Sequence, residues 1–176
     1  MLLGNFIKNI NRKYYKTYFS GVAFNSKQVK KDNIFFAIEG TKFDGNEYIF
    51  DAINNGAKII ISKKNIKIRD KNIIFLREDN PRKLLAEISF KLINKKPTNL
   101  IAVTGTNGKS SIADFYYQIL TLNNKKAATI GTLGVRSKTV NFDLLNTTID
   151  PIHLGQILKK LKNHRIENVI MEASSH

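Results

Sequence analysis

A chain of 176 residues has room for one ordinary domain or two small ones, and its 42% hydrophobic and 10% aromatic content belongs to a globular protein rather than a disordered one. With no cysteine there is no disulfide framework, thiolate metal site or cysteine nucleophile; no apolar run nears the roughly 18 residues that span a bilayer, and Met1 to Ile10 is too weakly apolar for a secretory signal, so a soluble cytoplasmic protein is expected. The net charge of +15 invites a nucleic-acid partner, yet the excess is spread along both halves in short pairs such as Lys30-Lys31 and Lys159-Lys160, so the expectation is a solvated basic surface that at most steers a small anion, with no nucleic acid and no membrane engaged.

In chain order, Ile34-Phe-Phe-Ala-Ile38 is a short apolar run closed by Glu39-Gly40, the pattern of a buried strand. Tyr48, Ile49, Ala52 and Ile53 fall on one helical face, and Asn54-Asn55-Gly56 stops that helix. Ala57 to Ser62 and Asn72 to Leu76 read as strands, and Leu84 to Ile93 as a helix with Pro81 near its first turn. These elements make a compact α/β unit over residues 1–96, ending near Lys95-Lys96-Pro97.

A second unit, 97–176, opens with the strand Leu100-Ile-Ala-Val-Thr104, a glycine-rich turn from Gly105 to Lys109, and a helix from about Ser110 to Leu122. A strand at Ala127 to Ile130, the turn Gly131-Thr-Leu-Gly134, a helix around Ile152 to Leu161 and the apolar strand Val169-Ile-Met171 follow. Strands alternating with helices predict a parallel sheet with helices on its faces. About three strands would leave an open sheet edge, which a complete domain rarely keeps, so the fold class is α/β with a small first domain and only the start of a second.

The strongest local signal is Val103-Thr-Gly-Thr-Asn-Gly-Lys-Ser-Ser111, set between an apolar strand and an amphipathic helix. Glycines at 105 and 108 let successive N–H groups of Gly105, Thr106, Asn107, Gly108, Lys109, Ser110 and Ser111 turn toward one anion, and the helix adds its positive N-terminal end. That is a triphosphate cradle, with Lys109 reaching the β- and γ-phosphates of ATP and the Ser110 hydroxyl ligating Mg²⁺. The common spacing would place a glycine at position 103, where this chain has valine. Glu172 ends the last apolar strand, on the sheet edge that also carries the turn. Position alone leaves two readings open, a carboxylate that holds Mg²⁺ or a surface glutamate at a strand end. His176 is read as a solvated terminal residue.

Several separate segments together resemble the Mur ligases, the ATP-dependent amide-forming enzymes of peptidoglycan precursor synthesis. The loop Thr104-Gly-Thr-Asn-Gly-Lys-Ser-Ser111 resembles their shortened phosphate loop. Thr129-Ile-Gly-Thr-Leu-Gly134, Asn146-Thr-Thr148 and Met171-Glu-Ala-Ser-Ser-His176 are similar in order and spacing to UDP-N-acetylmuramoyl-tripeptide synthetases of the MurE type. Upstream, Ser26-Lys-Gln-Val29, Asn33-Ile-Phe-Phe-Ala-Ile-Glu-Gly40 and Phe43-Asp-Gly45 resemble that family's N-terminal UDP-binding domain.

The resemblance implies that Gly105 through Ser111 bind ATP, that Lys109 and Glu172 are catalytic, and that Ser110 and Glu172 hold Mg²⁺. It implies that Asn146, Thr147, Thr148 and Ser174 hold the UDP-muramoyl peptide, a task suited to short amides and hydroxyls, and that Phe24, Ser26, Thr41, Lys42 and Phe43 contact its UDP end. It implies a ligase that joins a diamino acid, meso-diaminopimelate or L-lysine, to UDP-N-acetylmuramoyl-L-alanyl-D-glutamate through an acyl phosphate; a monomer is expected, though no residue pattern here speaks to oligomeric state. Lys27 stands where an arginine is usual and Ser110-Ser111 where two threonines are commoner; both keep the relevant chemistry. Family members continue into a carbamylated lysine, further metal ligands and a C-terminal domain that selects the amino acid, so this chain by itself is expected to ligate little or nothing. The competing expectations are a D-Ala-D-Ala-adding Mur ligase, which lacks a matching Thr-Ile-Gly-Thr-Leu-Gly segment, and a non-catalytic nucleotide-binding fragment.

Overall fold

The computed structural model describes residues 1–40, 43–144 and 149–173, and divides into two compact units, Met1–Lys91 and Leu92–His176. In the first, β1 (Val22–Ala23), β2 (Asn33–Ala37), β3 (Ala57–Ser62) and β4 (Ile74–Arg77) form one sheet in the order β1-β2-β3-β4, all parallel. A 3-10 turn (Gly45–Tyr48) leads into α1 (Ile49–Asn54), and α2 (Pro81–Leu92) follows β4. Gly56, at φ 103°, ends α1 in a conformation that side chains resist.

All five residues of β2 are buried, as a central parallel strand covered on both faces requires. Phe35, Ala37 and Ile60 pack with Ile49 and Ala52 of α1. The alternating residues Ile34, Phe36, Ile59 and Ile61 turn to the other face and are also fully buried. The sequence pattern located β2, β3, β4 and both helices within a few residues. It overlooked the two-residue β1, which is too short to show a periodicity.

The second unit holds β5 (Asn99–Val103), α3 (Lys109–Leu122), β6 (Ala127–Gly131), β7 (Gly134–Ser137), α4 (Pro151–Asn163) and β8 (Asn168–Glu172), with sheet order β5-β8-β6-β7. The last strand in sequence lies between β5 and β6, parallel to both. The expected wholly parallel sheet needs one correction: β7 is antiparallel to β6. The turn at 131–134 is a two-residue hairpin, with Gly134 at φ 89°, and so short a connection can join only antiparallel neighbours.

One face of this sheet is packed by α4, whose Ile157, Leu158 and Leu161 meet Ala128, Ile130, Val135 and Val169. The Asp150 carboxylate starts that helix by accepting the amides of Ile152 and His153, with Pro151 in the first turn. Helix α3 lies near β6, β8 and β5, and buries only Ala113. Among the described residues β5 pairs on one side only, and Ile112, Phe115, Ile119 and Leu122 of α3 are exposed. No helix among these residues is long and apolar enough to cross a membrane.

Candidate functional site

Register builds the site in the second unit. Val103 pairs with Glu172 across β5 and β8, and the Ala173 amide donates to the Val103 carbonyl at 2.8 Å, so the two strands end together. The glycine-rich turn leaves β5 immediately after that pair. Gly105 (φ 149°) and Gly108 (φ 79°) both occupy backbone regions costly for other residues. A Cβ at Gly108 would meet nothing within 4 Å, so the dihedral rather than space selects glycine there.

Gly108 caps α3 in a left-handed conformation and has no side chain of its own to accept the helix's first amides, which suits them to an external anion. The Lys109 ammonium donates to the carbonyls of Gly105 (2.6 Å) and Thr106 (3.2 Å), which holds it over the turn. Thr106, Asn107, Ser110 and Ser111 are exposed. A glycine-rich turn at a helix start, with a lysine held across it, is suited to a polyphosphate.

Glu172 points into the same place. Its Oε2 accepts the Ser110 hydroxyl at 2.8 Å, which ties the end of β8 to the first turn of α3. Two hard oxygen donors from separate elements thus converge beside the phosphate turn, the protein share that Mg²⁺ needs when nucleotide phosphates and water complete its shell. Among the described residues no three His, Cys, Asp or Glu side chains gather to hold a metal, here or elsewhere. Sequence position left open a Mg²⁺-holding carboxylate or a surface glutamate at a strand end, and the structure sets Glu172 against Ser110 and the glycine-rich turn.

The sequence reading missed Thr132. Its amide donates to Glu172 Oε1 and its hydroxyl to Oε2, both at 3.2 Å. The hairpin that brings it there is the part of the topology that alternation could not reveal.

In the first unit, Phe24 and Ser26 follow β1, and Phe43 lies in the loop after β2. Because β1 and β2 are parallel neighbours, these positions share the C-terminal edge of their sheet, where parallel α/β sheets take ligands. Ser26 is buried and its carbonyl accepts the Asn55 side chain, whereas Phe43 is 69% exposed. Thr41, Lys42, Asn146, Thr147, Thr148, Ser174 and His176 lie outside the described residues.

The same edge carries a polar cluster that the sequence did not single out. Asp44 accepts the amide and side chain of Asn46, Ser62 donates to Asn46, and the Lys64 ammonium meets Asp44 at 2.5 Å. These bonds clamp the loop after β2 to the end of β3. The Lys64 hydrogen bond, followed by those from Asn46, lowers the Asp44 pKa from 3.8 to about 2. A carboxylate held low stabilises the fold above its unfolded pKa, and that contribution is lost as pH falls toward 2. Lys64→Met should therefore cost little near neutrality, because the pair is solvent-screened, and move the onset of acid unfolding to higher pH. A pH titration followed by circular dichroism would show it, and an unchanged acid limb would count against the clamp.

Glu167 is also held low, to about 2, by Lys162 and then Thr98. It precedes β8, at the strand end opposite the phosphate turn, so its role is to fasten the starts of β5 and β8.

Comparison with known proteins gives one consistent family. Residues 18–90 match the profile of the Mur ligase family, catalytic domain, and residues 103–176 match the Mur ligase middle domain. Among curated relatives, the UDP-N-acetylmuramoyl-L-alanyl-D-glutamate–2,6-diaminopimelate ligase of Rickettsia prowazekii is 39% identical over 172 residues, 96% of this chain and 35% of that protein. The protein of the same name from Mesorhizobium japonicum is 39% identical over 157 residues, 89% of this chain and 32% of its own length. The chain thus spans about a third of the relatives it matches. A solved diaminopimelate ligase of that name superposes with a TM-score of 0.80 at 24% identity, over 100% of this chain and 36% of the other. The MurF ligase of Thermotoga maritima, solved in complex with ADP, gives 0.53 at 21% identity over 88% and 32%. Both structural likenesses concern the fold.

Proposed function

The chain belongs to the Mur ligase family, and from that premise we propose that it supplies the ATP site and the UDP-substrate domain of a ligase that adds a diamino acid to UDP-N-acetylmuramoyl-L-alanyl-D-glutamate. The observation that carries the reading is the Glu172 carboxylate 2.8 Å from the Ser110 hydroxyl, beside a turn whose lysine and helix amides suit phosphates. Residues 1–96 take the UDP end of the substrate, through Phe24, Ser26, Thr41, Lys42 and Phe43. Residues 97–176 take ATP, and Asn146, Thr147, Thr148 and Ser174 hold the muramoyl peptide. The names of the curated relatives support diaminopimelate over L-lysine as the incoming amino acid. A reaction that consumes ATP and a UDP-linked precursor belongs in the cytoplasm, and a monomer suffices for it.

In this reading a free carboxylate of the dipeptide attacks the γ-phosphorus of ATP, the bond to the β-phosphate oxygen breaks, and ADP leaves. The amine of the diamino acid then attacks the acyl phosphate, forming an amide and releasing inorganic phosphate. The chain's part in the first step is positioning and charge neutralisation. Lys109 neutralises the β- and γ-phosphate oxygens, and the turn amides fix the phosphates. Mg²⁺, held by Ser110 and Glu172, would supply further positive charge against the developing phosphate charge.

Calorimetry on the purified chain tests the reading. MgATP and UDP-N-acetylmuramoyl-L-alanyl-D-glutamate should each bind, and Glu172→Gln should weaken ATP binding only when Mg²⁺ is present. Failure of either ligand to bind at millimolar concentration would overturn it.

A further inference from the structure

We infer that Thr132, set against Glu172 by the glycine before it, is a positioning residue that fixes the Glu172 carboxylate for divalent-cation binding. The inference rests on the reading of Glu172 as a Mg²⁺ ligand. It adds a residue that neither the phosphate-turn motif nor the order of strands indicates.

Three observations carry it. First, Thr132 straddles the carboxylate, with its amide on Oε1 and its hydroxyl on Oε2. The terminal torsion of a glutamate is broad and roughly two-fold, so bonds to both oxygens from a single residue remove a freedom that the β8 backbone cannot. Second, Gly131 lets the β6 backbone come this close. A Cβ built there would overlap the carboxylate of Glu172 and lie 2.7 Å from its Cγ, so any other residue would push the side chain aside. Third, Thr132 is exposed at the tip of a two-residue hairpin and is not among the residues of the core cluster that packs this sheet. A threonine there has no packing task that valine would fail to perform.

The energetic consequence follows from order. Ordering a glutamate side chain costs rotamer entropy, and a carboxylate already fixed in the apo chain does not incur that cost when the cation arrives. Outer-sphere partners of metal ligands typically contribute about 10- to 100-fold in affinity. Ser110 donates to the same Oε2 that Thr132 holds, so the orientation fixed is the one that faces the phosphate turn.

The test uses the 176-residue chain, with Mn²⁺ and the non-hydrolysable analogue AMP-PNP as probes. The readout is the ratio of AMP-PNP affinities with and without Mn²⁺. Thr132→Val should lower that ratio about 10-fold while leaving the metal-free affinity and the thermal midpoint unchanged, and Thr132→Ser should restore it. In the metal-free chain, the Thr132 amide proton resonance should move on Glu172→Gln. If Thr132→Val keeps the full ratio while Glu172→Gln loses it, the positioning role is wrong and the metal-ligand reading stands. If Glu172→Gln also keeps it, both fall.

Discussion

Lys109→Ala should weaken ATP binding by about 100-fold, corresponding to about 3 kcal/mol at the upper end for hydrogen bonds to charged groups. The ammonium already sits over the turn, bonded to the Gly105 and Thr106 carbonyls, so the wild-type chain presents it without rearranging the loop. Removing it leaves the amides of the turn and the start of α3, which bind phosphate more weakly without a full positive charge. The UDP-linked substrate should bind largely as before, because Lys109 is not one of its proposed contacts and those of its UDP end at Phe24, Ser26 and Phe43 belong to a different unit. In a ligase carrying the same change, acyl-phosphate formation should disappear. Calorimetry with ATP checks the first statement and phosphate-transfer kinetics the second. An ATP affinity within about threefold of wild type would remove Lys109 from the site.

The second large effect is on stability. Phe35→Ala should destabilise the first unit by about 3–5 kcal/mol, the usual cost of emptying a buried phenylalanine site. Phe35 is fully buried among Ala23, Val29, Ala37, Ile49, Ala52, Ala57 and Ile60, and the small alanines around it leave little to collapse into the gap. Such a loss is a large part of the roughly 5–15 kcal/mol that a domain has in total. Phe50→Ala is the matched control. Phe50 is the same residue type on α1 but 64% exposed, and it should change stability by about 0.5 kcal/mol or less. Urea unfolding followed by circular dichroism separates the two, and equal midpoints for the two variants would show that burial is not what stabilises this sheet.

The glycine-rich turn was legible because its pattern is local. Gly105 and Gly108 are needed for their own backbone angles, Lys109 and Ser110 follow by fixed spacing along the first turn of a helix, and no distant residue is required to see the pattern. Strands such as β2 and β3 were legible for the same reason, since an uninterrupted apolar run is how a strand buried on both faces must read. The substrate-peptide positions, by contrast, rest on resemblance, because a run such as Asn146-Thr147-Thr148 carries no chemistry that distinguishes it from a polar turn.

The amino-acid sequence by itself therefore determined an α/β chain with a glycine-rich turn between a strand and a helix and a glutamate at the end of an apolar strand. Tertiary structure alone decided where that glutamate lies. Inserting β8 between β5 and β6 sets Glu172 beside both the turn and Gly131, and the β6–β7 hairpin presents Thr132 to it. Strand order and hairpin geometry depend on contacts between residues 40 and 62 positions apart, and no local pattern of hydrophobicity or turn chemistry encodes a pairing over that distance.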